Sequence, residues 1–303
     1  MGGEQKRAVV VTGASTGIGE ACVALLVEKG FFVFGSVRKD ADAERLTARF
    51  GPQNFAALLF DVTDGEAIAR AAREVGQWLS GATLFGLVNN AGVAVPGPLL
   101  HLPIADFERQ VETNLTGQLR VIQAFAPLLG ARRPQGGPPG RIVNMSSVAG
   151  RRAAPFLGAY NASKFGLEGM SDALRRELTV YGIDLILIQP GMISTPIWDK
   201  AKRADFSAFD DTVYGPAARR VQKWVVEGGR AAPGPEKVAE AVLRALTASR
   251  PPARIPVRTG SPLGELIGLL PARLVDWLTA WRLGFHDIRK ALGASTTGEK
   301  NGR

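Results

Sequence analysis

Three residues near the middle of the chain have types and spacing that suit proton transfer. Ser147 precedes Tyr160 by thirteen residues and Tyr160 precedes Lys164 by four, within SSVAGRRAAPFLGAYNASK. On a helix, positions i and i+4 share a face, so the Lys164 ammonium is expected beneath the Tyr160 phenol. A nearby cation favours phenolate and would bring a group with an ordinary pKa of about 10 towards the pH at which it exchanges protons. Ser147, following a strand, would hydrogen-bond a substrate oxygen. By itself Tyr-x-x-x-Lys is a common solvated pair; specificity comes from the serine spacing and from a second motif at the N-terminus. Asn114, within Thr113-Asn114-Leu115-Thr116-Gly117, is a polar residue inside an apolar helical stretch, where a helix prefers none. It reads either as a site residue or as a surface Asn on a kinked helix.

The second motif follows the apolar run Ala8–Thr12. Gly13-Ala14-Ser15-Thr16-Gly17-Ile18-Gly19 opens a helical stretch, so backbone N–H groups can face a pyrophosphate with no Cβ in the way. The same letters contain the G-x-S-x-G of a hydrolase nucleophile elbow, but that elbow needs an oxyanion loop from an earlier strand, and only twelve residues precede Gly13. Asp61-Val62 and Asn89-Asn90-Ala91-Gly92 each follow a predicted strand, at the end where an open α/β sheet forms its ligand crevice. Asp61 would accept from an adenine amino group or serve as a turn aspartate; Asn89 and Asn90 would pin the sheet edge or belong to an ordinary turn. At the end of the second strand, Ser36-Val37-Arg38-Lys39 offers no carboxylate to bind a ribose 2′-OH. Arg38 instead suits a 2′-phosphate, with Ser15, Thr16 or Ser36 as hydroxyl donors, which predicts NADP(H) over NAD(H).

The elements needed to position these groups are legible as an alternation of short β-branched runs and amphipathic stretches, the pattern of a parallel sheet covered by helices. Strands are expected at Ala8–Thr12, Phe31–Val37, Phe55–Phe60, Thr83–Asn89, Arg141–Met145, Ile183–Ile188 and Ala253–Val257. Helices are expected at Gly17–Lys29, Asp42–Phe50, Asp64–Leu79, Pro103–Leu129, Gly158–Val180, Pro235–Ala248 and, once or twice, within Pro262–Leu292. Ala131–Gly140 is a Pro/Gly-rich connector, and Met192–Gly215, without one sustained period, reads as a mobile insertion. The last residues are expected to fray.

Composition excludes several classes. With 303 residues, 46% hydrophobic and 21% charged, the chain is neither disordered nor collagenous. The lone Cys22 forbids an intrachain disulfide and, with two histidines, leaves no ordinary zinc set, so no metal is expected. A reducing, cytoplasmic setting is the natural expectation; no export leader is read at the start and no uninterrupted apolar span crosses a membrane. The net charge of +9 is uneven: residues 1–199 hold 19 basic against 18 acidic side chains, residues 200–303 hold 18 against 10. A nucleic-acid partner is not expected, since the basic third lacks any recognition pattern. That third also holds Trp198, Trp224, Trp277 and Trp281. Trp interleaved with Arg on an amphipathic helix suits peripheral contact with a membrane surface, but the one-turn spacing of Trp277 and Trp281 favours packing into the core.

Taken together in chain order, these motifs resemble the short-chain dehydrogenase/reductase family: TGxxxGxG at Thr12–Gly19, NNAG at Asn89–Gly92, the helix Asn114, Ser147 with Tyr160 and Lys164, and Pro190-Gly191 followed by Thr195. The resemblance covers Val9 to about Trp198. It implies a single-domain α/β Rossmann fold, with a doubly wound seven-stranded parallel sheet and helices on both faces. The catalytic domain would span residues 1–260 with a substrate loop at 192–215, a helical extension 261–292 and a disordered tail 293–303. Tyr160 would be the acid/base, Ser147 would polarise the carbonyl, Lys164 would hold the nicotinamide ribose, and Asn114 would anchor a water leading from Lys164 to solvent. Gly13, Ser15, Thr16, Gly17, Ile18, Gly19, Arg38, Asp61, Val62, Asn89, Ala91 and Gly92 would line the coenzyme, with Pro190, Gly191, Ile193 and Thr195 at the nicotinamide. The implied reaction interconverts an alcohol and its carbonyl. A largely apolar lip, from Arg151–Gly158 and Met192–Trp198, and a tail like that of steroid- and retinoid-type members point to a lipophilic substrate; the competing expectation is a non-catalytic dinucleotide-binding regulator or scaffold. A homodimer or homotetramer through Pro103–Leu129 and Gly158–Val180 is also implied.

Overall fold

A computed structural model describes residues 6–132, 137–195, 206–258 and 270–298. Strands β1 (Ala8–Val11), β2 (Phe32–Val37), β3 (Phe55–Leu59), β4 (Gly86–Asn89), β5 (Arg141–Met145), β6 (Asp184–Pro190) and β7 (Arg254–Val257) form one sheet in the order β3-β2-β1-β4-β5-β6-β7. Every neighbouring pair is parallel. The order reverses between β1 and β4, so a crevice opens beyond the carboxyl ends of those two strands.

Side chains alternate across each strand, and because both faces are covered, both sets must be apolar. Val9 and Val11 join the core under α1 (Gly17–Glu28) and the helix Glu236–Thr247, while Ala8 and Val10 face the opposite core with α3 (Gly65–Leu79). Between β2 and β3 runs α2 (Asp40–Phe50). Asp64 caps α3 by accepting from the Ala67 N–H at 2.9 Å, as its position before the apolar stripe predicts.

The stretch expected as one helix from Pro103 to Leu129 is shorter and broken: α4 (Ile104–Val111), a π turn over Glu112–Thr116, and α5 (Gly117–Phe125). A π turn admits one extra residue and is common at functional sites. Gly117 explains part of the break, because a Cβ there would lie 2.8 Å from the Val62 carbonyl oxygen. The helix passes so close to the β3 loop that only glycine fits. Next, α6 (Gly158–Glu177) ends in a 3₁₀ turn, Leu178–Tyr181.

The residues after the stretch read as irregular, left unassigned in the sequence, are helical. A helix, α7 (Gly215–Arg230), starts at the end of the supposed insertion, with Pro216 in its first turn. Its face Ala217, Ala218 and Val221 packs with Phe156, Phe206 and Phe209 in a third, smaller core. Residues 196–205, including Trp198, lie outside the described residues. After α8 (Glu236–Thr247) and β7, two helices follow, α9 (Ala272–Leu283) and α10 (Phe285–Gly298), joined at Gly284 with φ +72°. The expected tail from residue 293 is therefore helical as far as Gly298.

Candidate active site

The glycine loop is pinned from the two strands that flank β1. The Gly13 N–H donates to Ser36 Oγ at 3.0 Å and the Ala14 N–H to the Ser36 carbonyl at 2.9 Å. From the β4 end, Asn90 Nδ2 donates to the carbonyls of Thr12 and Gly13, while Thr12 Oγ1 accepts from the N–H groups of Asn90 and Ala91. Gly13 and Gly17 take φ +66° and +60°, and a Cβ on Gly19 would collide with the Gly13 carbonyl. Thr16 occupies the N-cap of α1 without a side-chain capping bond. The first N–H groups of that helix therefore remain available to an anion. Ser36, in contrast, is buried and engaged with Gly13, so its hydroxyl fastens the loop rather than facing out.

Around the crevice, Ser15, Gly17 and Ile18 are partly buried and Thr16 is exposed. Asp61 forms a turn, accepting from the Thr63 N–H and hydroxyl at 3.0 and 2.9 Å, and its other oxygen faces Arg38 Nη1 at 3.5 Å. Partial burial pushes the Asp61 carboxyl up, but the two Thr63 bonds and the Arg38 charge outweigh it and hold it below the usual range. The Arg38 side chain is 66% exposed. Asn89 donates to Asn144 Oδ1 at 3.0 Å, and Asn144 donates to Ser171 Oγ at 2.9 Å, tying β4, β5 and α6 through their buried amides.

Ser147, Tyr160 and Lys164 come together at the end of β5. Ser147 starts the turn Val148–Gly150 by accepting from the Ala149 N–H at 3.1 Å. Lys164 Nζ donates to the Met145 carbonyl at 2.7 Å and stands 5.8 Å from the Tyr160 ring centroid. The expected lowering of the phenol pKa by Lys164 is not what this geometry gives. Burial raises the Tyr160 phenol above its ordinary value, and only a hydrogen bond with Ser147 opposes the rise. Burial also lowers the Lys164 ammonium to about 8, with Glu168 acting the other way.

Asn114 is fully buried in the π turn, which excludes the surface reading. Its Oδ1 accepts from the Val93 N–H at 2.8 Å, and its Nδ2 donates to the Val93 carbonyl and to Ser163 Oγ. Both amide hydrogens are thereby used. Gln110 clamps the same loop, donating to the Val93 carbonyl and accepting from the Val95 N–H, both at 2.7 Å. Sequence reasoning missed Gln110, although a second buried amide one helical turn before Asn114 is a readable signal. It missed Asn161 as well. Asn161 Oδ1 accepts from the Ala154 N–H, and its Nδ2 donates to the carbonyls of Ala149 and Arg152. This side chain fastens the loop after Ser147 to the helix that carries Tyr160. Glu168, another omission, is buried and accepts from Gln189 and Arg254, each at 2.9 Å.

Beyond Pro190 the chain turns through Gly191 and buried Ile193 to Thr195, with the Gly191 N–H on the Val257 carbonyl at 3.0 Å. The apolar lip is only partly where the sequence placed it. Ala153, Pro155, Phe156 and Gly158 line an apolar cavity of about 660 Å³ with Leu99 and Phe285, among others, but neither Ser147 nor Tyr160 lines it. On α6 its lining residues Gly158, Ala162 and Phe165 occupy a face turned away from Tyr160.

Comparison with known proteins bears directly on this arrangement. Residues 7–205 match the family model for short chain dehydrogenase. A protein named NADPH-dependent 3-dehydrocapnine reductase, from Ornithobacterium rhinotracheale, is 38% identical over 285 residues, covering 94% of this chain and 98% of that one. Human retinol dehydrogenase 5 is 34% identical over 293 residues, 91% of this chain and 88% of its own length. A solved short-chain dehydrogenase from Streptomyces avermitilis superimposes with a TM-score of 0.68 at 25% identity, over 99% of this chain and all of that one.

Proposed function

The chain belongs to the short-chain dehydrogenase family of oxidoreductases, and from that premise we propose that it is an NADP(H)-dependent enzyme interconverting a primary or secondary alcohol and its carbonyl on a lipophilic substrate of steroid, retinoid or other apolar type. The observation that carries the reading is the cluster of buried Ser147 and Lys164 with the partly buried Tyr160 beside the glycine crevice. The uncapped start of α1, the positive φ of Gly13 and Gly17 and the acceptor at Asp61 fit a dinucleotide. Gly13, Ser15, Thr16, Gly17, Ile18 and Gly19 would hold its pyrophosphate, Asp61 and Val62 its adenine, Asn89, Ala91 and Gly92 the strand-end wall, and Pro190, Gly191, Ile193 and Thr195 its nicotinamide. Bound there, the coenzyme supplies or accepts the hydride.

The protein's own groups handle the oxygen and its proton. Ser147 Oγ and Tyr160 Oη hydrogen-bond the substrate oxygen; in reduction the phenol gives up its proton as the carbonyl becomes an alcohol, and in oxidation the phenolate takes it back. The high pKa of the free Tyr160 suits the proton-donor role. Lys164 holds a ribose hydroxyl, and Asn114 keeps the adjoining loop in place and anchors a water on the path to solvent. Arg38, exposed and free to turn from Asp61, is the 2′-phosphate partner, and the NADPH dependence named for the 3-dehydrocapnine reductase supports that choice. The exposed side chains of Leu100, Ile104 and Phe165 support association of two copies through α4 and α6.

Fluorescence titration with NADPH and NADH, followed by coenzyme oxidation with a panel of apolar ketones and aldehydes, tests the reading. NADPH should bind at least about tenfold tighter, equivalent to 1.4 kcal/mol, and Arg38→Asp should reverse the order. NADH preference in the unaltered chain overturns the coenzyme assignment. Turnover that survives Tyr160→Phe overturns the proton assignment.

A further inference from the structure

The last third of the chain holds an apolar face that the fold leaves in the open. Leu274, Trp277, Leu278 and Trp281 on α9 are exposed, with Trp277 at 54% and Trp281 at 69%, and Leu270 continues the row. At 100° per residue the four helical members lie within one 100° sector. The helix seats on the body through its other side, where Val275, Thr279 and Leu283 are partly buried. Among the described residues of α9 and α10, Leu283, Phe285 and Ile288 are those packed on the small third core, and Arg220 donates to the Leu283 carbonyl. No residue of α9 is buried, so the expectation that Trp277 and Trp281 pack inward is corrected: they point outward.

Charge selects the partner. On the same helical wheel, exposed Arg273 and Arg282 flank the apolar sector on its two sides, while Asp276 lies behind it. Trp224 of α7 is 53% exposed, and the Arg282 guanidinium stands 5.8 Å from its ring centroid. Across Gly215–Arg230 and Ala272–Gly298 there are eight Lys and Arg against three Asp and Glu. Two copies pressed together through this face would bring like charges together, whereas an anionic lipid surface meets both halves of it: indole and leucine enter the headgroup boundary, and the arginines meet phosphate. No helix among the described residues is long and apolar enough to cross a membrane.

We propose that the α9 face, built on Leu274, Trp277, Leu278 and Trp281 and flanked by Arg273 and Arg282, docks the protein in the plane of an anionic lipid surface. The inference does not depend on the coenzyme reading, and its test runs without coenzyme. The full chain is sedimented with phosphatidylcholine vesicles containing phosphatidylglycerol, and with phosphatidylcholine alone. Binding should follow the anionic fraction, weaken as salt screens it, and fall at least about fivefold in Trp277→Ala/Trp281→Ala. That variant should keep its far-UV circular dichroism and melting temperature, since both side chains are exposed. Protein left in the supernatant at low salt overturns the proposal, as does binding that the double variant leaves unchanged. A self-association that the double variant abolishes, without vesicle binding, would assign the face to a second copy instead.

Discussion

Lys164 is the residue whose environment makes the sharpest prediction. Its folded pKa of about 8 lies below the ordinary 10.5, so between those values the unfolded chain binds more protons than the folded one. Stability contributed by this group therefore rises with pH across that window and is least at neutral pH. Urea unfolding of the wild type and of Lys164→Met at pH 7 and pH 9.5 should show the wild type gaining about 2 kcal/mol relative to the variant; a constant difference would mean that Lys164 titrates normally. The same burial that lowers this ammonium raises the Tyr160 phenol, which spacing alone could not reveal. Positions i and i+4 announce that two side chains share a face, not how much water they keep. Tyr160, Lys164 and Ser147 were legible because chemistry restricts their types and their separations. Glu168 was not, because Gln189 and Arg254 reach it from two strands that lie next to it only in the fold.

Among the elements, the loop between Ser147 and Tyr160 depends on one side chain. Asn161 is 4% exposed and makes three hydrogen bonds to the backbone of residues 149–154. Removing them leaves buried groups unpaired, so Asn161→Ala should lose about 2 to 3 kcal/mol of stability. It should also lower kcat severalfold at unchanged NADPH affinity, since Ser147 loses its fixed relation to Tyr160. If the folded variant turns over at the wild-type rate, Asn161 serves stability alone. The strand and helix alternation that builds the sheet was readable, since β-branched runs and amphipathic stretches differ in period. Two departures have local causes. The break at Glu112–Thr116 arises where Asn114 and Gln110 fasten to Val93 and Val95 and where Gly117 meets Val62. The helix α7 follows directly on the aperiodic stretch, and its inward face is built partly of the small Ala217 and Ala218, which add little apolar signal.

At the scale of the whole molecule, exposed apolar side chains among the described residues gather chiefly in two places, and this carries a consequence for assembly. One is the α9 face, bordered by arginines. The other lies along α4 and α6, where Leu99, Leu100, Ile104 and Phe165 are exposed beside the cavity lined by Pro155 and Ala162. Clusters of this kind on a monomer mark contact surfaces, whereas scattered single residues do not. Two-fold pairing of α4 and α6 is self-complementary, since each copy offers the same patch to the other. Phe165→Glu would place a charge against its own image at such a contact, and with the side chain 45% exposed in the isolated chain the substitution should leave the monomer fold intact. Light scattering after gel filtration should therefore show a dimer or tetramer for the wild type and a smaller species for the variant, with vesicle binding through α9 retained by both. A wild-type chain that runs as a monomer at tens of micromolar would remove the α4 and α6 contact. A variant that keeps the full assembly would move the contact elsewhere on the surface. Since the proposed assembly contact would share the Tyr160 helix, a dissociated variant that keeps its NADPH affinity would show that each copy completes its own crevice.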